Sequence, residues 1–250
     1  MNIISISNDV KDSIVRSIQD AVGDDILEDI RKNDLFTTNS VPSRIWDFIN
    51  RNIRSNSDCM LCTVAKAVRK PWQMVVVFDK KSQNIITFMR ERRFLEICKN
   101  QRNRRSMHYV DLLTKNFNHE LIAPCEQLCL TPHRFLDECY LVENVNTMLA
   151  DLKNEVDLVR HHVMVLFETV EYELVSVRAV MLSSSLDIVC EEDWTHMINK
   201  QQSVITDTIT EPEQVSNNPT MNLQLKPKAL NRKKDKPIVK TDVNVIKREG

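Results

Sequence analysis

A chain of 250 residues with 42% apolar content has room for one ordinary domain with a buried core, and its formal net charge of −1 gives no global pull toward a partner of either sign. Only two glycines, Gly23 and Gly250, stand against an average usage of about 7%, which excludes the phosphate-cradling loops of P-loop ATPases, nucleotide-dependent kinases and dinucleotide-binding dehydrogenases. Seven cysteines, an odd count, argue for reduced thiols rather than a disulfide framework and so for a cytoplasmic setting.

Met1 to Val10 holds neither a basic stretch nor a continuous apolar one, so no leader is expected. The longest apolar runs, Met74 to Phe78 and Val163 to Phe167, span five residues, far short of a membrane crossing. Val10 to Val22, Ile26 to Lys32 and Pro42 to Arg54 read as amphipathic helices; in the last, Ile45, Ile49 and Ile53 recur at spacing four behind a cap at Ser40 or Ser43. From Cys59 the period changes. Cys59 to Val68, Trp72 to Phe78 and Ile85 to Met89 are rich in β-branched and apolar residues, and breaks at Arg69-Lys70-Pro71 and Asp79 to Asn84 predict a three-stranded antiparallel meander.

Helices are predicted again over Glu91 to Asn100, over Ser106 to Asn116, and from Pro132 onward, where Thr131-Pro132 forms a cap and first-turn pair. The longest is expected over Leu141 to Arg160, whose Leu141, Val145, Met148, Leu149, Leu152, Val156 and Val159 form one apolar stripe. Val163 to Phe167, Leu174 to Met181 and Leu186 to Cys190 read as three more strands, with Ser183-Ser184-Ser185 as a turn and a short helix around Trp194 to Asn199. Beyond about Gln201 the apolar pattern disappears, and half of the eight prolines fall at Pro212, Pro219, Pro227 and Pro237. The expected architecture is a single α+β globular domain over 1–200 and a disordered basic C-terminal tail over 201–250. The domain has a helical N-terminal layer, about six strands in one mixed sheet or two antiparallel ones, and one long packed helix.

No segment carries a motif that names a reaction. Asp79 and Glu91 invite comparison with nucleases that hold a divalent ion between neighbouring strands. However, Asp79 sits at a hairpin turn and Glu91 at the far end of the return strand, roughly 20 Å away at 3.3 Å per residue, too far to share an ion. Cys59 and Cys62 have zinc-knuckle spacing, yet on a strand their thiols point to opposite faces, which favours core cysteines. Cys125, Cys129, His133 and Cys139 gather within 15 residues but match no closed zinc spacing. None of the six histidines, His108, His119, His133, His161, His162 and His196, stands in a nucleophile context. Glu191, Glu192 and Asp193 precede Trp194, where helix capping accounts for them. No catalytic residue, metal site or cofactor is therefore assigned.

Charge carries the remaining signal. Residues 1–65 have a net charge of −3, 66–105 of +9, 106–210 of −11 and 211–250 of +4, a segregation typical of nucleic-acid binders unless the basic and acidic regions pair within the fold. Six of the seven cations between Arg90 and Tyr109 are arginine, whose planar fork grips phosphate at two points. On a helix, Phe94, Leu95, Ile97 and Cys98 define a buried arc, while Arg92 and Lys99 fall opposite it. Arg93 accompanies Arg92, and Arg102, Arg104 and Arg105 follow on a loop ended by a cap at Ser106. Arg92, Arg93, Lys99, Arg102, Arg104 and Arg105 are the expected contacts of a nonenzymatic nucleic-acid-binding or regulatory protein. Low glycine and high asparagine content suit an AT-rich genome, and the expected source is a bacterium, a phage or another mobile element. The rival classes are a protein-interaction module using the acidic stretch 151–193 and a hydrolase or nuclease whose site is not legible in sequence. The implied partners are nucleic acid or a protein, not a membrane, and the pattern leaves the oligomeric state open.

Overall fold

The computed structural model describes residues 4–34, 36–57, 61–69, 72–101, 107–122 and 138–199. Cys62–Arg69 (β1), Trp72–Asp79 (β2) and Asn84–Arg90 (β3) form one antiparallel meander, and His161–Val170 (β4), Glu173–Leu182 (β5) and Ile188–Asp193 (β6) form a second. β3 and β4 run parallel, with Asn84 opposite His161 and Arg90 opposite Phe167. The two meanders thus fuse into one six-stranded mixed sheet in chain order. A parallel pair needs a long crossover, and here Glu91–Lys99 (α4), Tyr109–Phe117 (α5) and Glu138–Met148 (α6) lie within it.

Both faces of the sheet are covered, which is why the strand runs are continuously apolar instead of alternating. Val163, Val165 and Phe167 face one way, where they pack with Ile14, Ile18, Ile49 and Ile53. Those isoleucines belong to Asn8–Asp20 (α1) and Val41–Ser57 (α3). Met164 and Leu166 face the other way, against Phe94 and Ile97 of α4, while Val76, Phe78 and Ile85 meet Leu113 of α5 and Val145 and Met148 of α6. The result is an α+β fold with helical layers on both faces. α1 continues through a π-helical turn at Ala21–Asp25 into Ile26–Lys32 (α2), with no break in right-handed backbone at Ala21 or Ile26.

Three local expectations are corrected. The long helix over Leu141 to Arg160 is interrupted: α6 ends at Met148, and Ala150–Leu158 follows as 3-10 turns around Lys153, whose φ of 49° and ψ of −121° no helix tolerates. Leu149 and Leu152 remain buried all the same, because tighter turns still bring them to the core. The cap of α5 is His108, not Ser106: its ring nitrogen accepts from the Val110 amide, and Asp111 reciprocates by accepting from the His108 amide at 2.8 Å. Leu95 is exposed, whereas Phe94 and Ile97 are buried as expected.

Polar groups inside the sheet are used structurally. The Asn118 side chain accepts from the His162 amide at 2.8 Å and donates to the carbonyls of His162 and Leu182 at 2.9 and 3.0 Å, fastening the end of α5 to β4 and β5. Lys11 of α1, almost fully buried, pairs with Glu192 on β6 and lies 5.8 Å above the ring of the buried Trp194. Among the described residues no helix is long and apolar enough to cross a membrane. The predicted Thr131-Pro132 helix start and the predicted tail lie outside the described residues.

Candidate functional site

The β2–β3 ladder covers only Val77 to Asp79 against Asn84 to Ile86, although β2 begins at Trp72. β1 follows β2 over its whole length, from Cys62 opposite Asp79 to Arg69 opposite Trp72. The β1–β2 hairpin therefore parts from β3 beyond Val77 and leaves a wedge in the sheet. Strand alternation aims the backbone of Gln73, Val75 and Val77 toward the β3 side. Asn50 of α3 meets one of the freed groups, its Oδ1 accepting from the Val75 amide at 3.1 Å.

A groove follows this wedge. Its first part, of about 1050 Å³, lies between α3 and the hairpin and is lined by Arg51, Arg54 and Lys66, with Asp47 and Asp151 opposing them. Its second part, of about 780 Å³, opens where β2 leaves β3, and is lined by Trp46, Trp72, His108 and Tyr109 together with Arg69 and Arg93. The two parts meet at Asp47, Asn50, Gln73 and Met74, which line both.

The side chains of the groove are held from behind. Trp46 packs edge-on against the core ring of Phe167, with centroids 5.6 Å apart. The rings of His108 and Tyr109 lie 4.5 Å apart at 40°. Arg69 donates to the Met107 carbonyl, which ties the hairpin tip to the start of α5. Tyr109 is half-buried, and its desolvation pushes the phenol well above the usual range, although the guanidinium groups of Arg93 and Arg69 pull it down. The phenol is thus neutral at any physiological pH. Trp72, at the hairpin tip, is 72% exposed, which an isolated surface residue of its size seldom is.

Of the residues predicted from sequence, Arg92 and Lys99 stand exposed on α4 but do not line the groove, and Arg93 does. Both Arg92 and Arg93 reach Glu96, at 3.6 and 3.1 Å, and exposed pairs at helical spacing are worth only about 0.3–0.5 kcal/mol, so either is easily drawn to a stronger anion. Arg102, Arg104 and Arg105 lie outside the described residues. Arg51, Arg54, Lys66, Arg69 and Trp72 were not singled out by sequence. Their signal was present but faint: Lys66 and Arg69 interrupt an otherwise apolar strand, and Arg51 and Arg54 flank the Ile45, Ile49 and Ile53 stripe.

Within the described residues, which omit Lys70, Arg102, Arg104 and Arg105, the pairing of the basic and acidic regions can be followed for part of each. Among the described residues, the ion pair between segments 66–105 and 106–210 is Glu91 with Arg178, an acid of the basic segment with a base of the acidic one. Arg178 also takes Glu191, and Glu192 takes Lys11. Arg51 pairs with Asp25 at 2.9 Å, whereas Arg54 and Lys66 have no ion-pair partner among the described residues. Asp193 accepts from the Thr195 amide at 2.8 Å, but Glu191, Glu192 and Asp193 lie on β6 and none of their side chains caps the short 3-10 turn at Thr195–Met197, contrary to expectation.

The other candidates have structural duties. Asp79 accepts from the Lys81 amide and the Ser82 hydroxyl within its turn, and Glu91 accepts from Arg178. Cys62 is buried in the core, Cys139 is exposed on α6, and Cys59, Cys125, Cys129 and His133 lie outside the described residues. Among the described residues no three His, Cys, Asp or Glu side chains converge as a metal site would require.

One family model matches the chain, over residues 3–241, and its description is a family of unknown function, DUF5986. No curated protein and no solved structure matches it.

Proposed function

We propose, on the premise that the chain belongs to the DUF5986 family of unknown function, that it is a nonenzymatic, regulatory nucleic-acid-binding protein that grips a phosphate backbone through its basic groove. The observation that carries this reading is the convergence of five cations, Arg51, Arg54, Lys66, Arg69 and Arg93, from three elements onto one groove opposed by two acids, Asp47 and Asp151. Four of the five are arginine, the side chain best matched to phosphate oxygens. Arg92, Lys99, Arg102, Arg104 and Arg105 extend the basic character along the neighbouring sequence, and we assign them as further backbone contacts. The odd cysteine count supports a cytoplasmic setting.

The test is fluorescence anisotropy of the full chain with a labelled oligonucleotide of about 20 nucleotides over about 50 to 300 mM NaCl. Each phosphate contact contributes about 0.7 to 0.9 to the slope of log affinity against log salt. The double change Arg54→Ala with Lys66→Ala therefore lowers the slope by about 1.5. Absent binding, or binding indifferent to salt, rules the reading out.

A further inference from the structure

We infer that the groove takes single-stranded rather than duplex nucleic acid, an inference that rests on the backbone-gripping role proposed above and names its ligand. The two parts of the groove differ in chemistry. Arg51, Arg54 and Lys66 line the part between α3 and the hairpin, whereas Trp46, Trp72, His108 and Tyr109 line the wedge between β2 and β3. A charged strip beside an aromatic recess matches a ligand that presents phosphates and bare ring faces side by side. A duplex presents phosphates and base edges, but its ring faces are stacked inside it. A single strand offers every base face to an aromatic partner.

Four further features favour bases as the occupants of the wedge. Trp72 is 72% exposed at the hairpin tip, directly across the ladder from Arg69, so a cation and a flat ring share one lip of the recess. His108 and Tyr109 form a tilted ring pair 4.5 Å apart on the other side. Tyr109 brings no negative charge to repel a phosphate, and Arg69 and Arg93 lie close enough to act electrostatically on its phenol. The ladder stops at Val77, which leaves the backbone of Gln73 facing the wedge, a source of hydrogen bonds to base edges that a sealed sheet lacks.

The experiment compares, by anisotropy at one salt concentration, labelled oligothymidine, oligouridine and a duplex of equal length against the full chain and against Trp72→Ala. The inference predicts that at least one single strand binds about tenfold more tightly than duplex. It also predicts that Trp72→Ala removes about tenfold of single-strand affinity while leaving the salt slope unchanged. The relative strength of the thymidine and uridine strands tells DNA from RNA. Duplex binding equal to or tighter than both single strands overturns the inference but leaves the phosphate-gripping reading standing, as does single-strand binding that Trp72→Ala does not weaken. Failure to bind any of the three probes overturns both. Because Trp72 is exposed, circular dichroism of the variant is expected to match the parent, and a match assigns any lost affinity to the ring.

Discussion

Glu91, the first residue of α4, and Arg178, in the middle of β5, meet side-on: Arg178 Nε and Nη2 donate to the two Glu91 oxygens at 3.2 and 2.6 Å. The contact spans 87 positions of sequence and anchors the helix that carries Arg92 and Arg93. Its hydrogen bond to Glu91 is the main reason the Arg178 guanidinium is held above its ordinary range, and partial desolvation opposes this. Both side chains are less than one-third exposed, so the pair escapes much of the screening that cancels surface ion pairs.

Removing one partner leaves the other half-buried without its fork. Glu91→Ala is expected to lower the unfolding free energy by about 1–2 kcal/mol, and Glu91→Gln by less, since one donor–acceptor contact survives. Urea denaturation at pH 7 checks both values. Equal losses for the two variants would mean that side-chain packing, not the charged fork, is what matters.

His162 gives the fold a pH dependence of definite sign. Its Nε2 stands 2.8 Å from Thr87 Oγ1, the residue is 1% exposed, and burial pushes its pKa down to about 3. An unfolded histidine titrates near 6.5, so below that pH the unfolded chain takes up a proton that the folded chain refuses. The stabilisation from a neutral His162 is complete above about pH 6.5 and is lost progressively as pH falls toward 3. Between pH 7 and pH 5 the loss is about 2 kcal/mol. His162→Gln keeps a polar partner for Thr87 and cannot titrate, so its stability should fall less than the parent's over that interval by about this amount. Parallel urea curves at the two pH values measure the difference.

A third expectation concerns backbone strain. With so few glycines, the chain places Asp34, Gln83, Lys153, Glu171 and Leu186 at positive φ. Lys153, at φ 49° and ψ −121°, lies in a region that side chains enter at a cost of about 1–3 kcal/mol. Lys153→Gly relieves the strain at an entropic cost of about 0.5–1 kcal/mol, for a net gain of about 1 kcal/mol. Lys153→Ala retains the Cβ and gives no such gain. Thermal melts of the two variants separate the effect of strain from that of removing a charge.

The strands were legible because five-residue apolar runs such as Val163 to Phe167 fit only a sheet buried on both sides, and Asp79 to Asn84 is rich in turn formers. The parallel seam between β3 and β4 was not, since two antiparallel trios read the same whether they share a sheet or not. The helix expected over Leu141 to Arg160 gives way after Met148 to 3-10 turns with a break at Lys153: the apolar stripe persists through Leu152 and Val156 when the backbone tightens, so periodicity cannot register the change. At the candidate site, sequence located Arg93 but favoured the contiguous run around it. The groove instead collects Arg51, Arg54, Lys66 and Arg69 because the hairpin leaves β3 at Val77. Where the hairpin departs, Asn50 meets the Val75 amide from 25 positions away, a contact no local pattern announces.

The parallel seam between β3 and β4 also bears on the order in which the chain assembles. Each meander is built from neighbours in sequence and closes only short turns, whereas paired residues across the seam, such as Asn84 and His161, stand 77 positions apart. Closing so long a loop costs chain entropy that only the finished interface repays. The hairpins are therefore expected to form early and the β3–β4 junction late. Until that junction forms, the seam edges of β3 and β4 are unpaired in addition to the outer edges of β1 and β6, which makes the partly folded chain vulnerable to pairing with a second copy of itself.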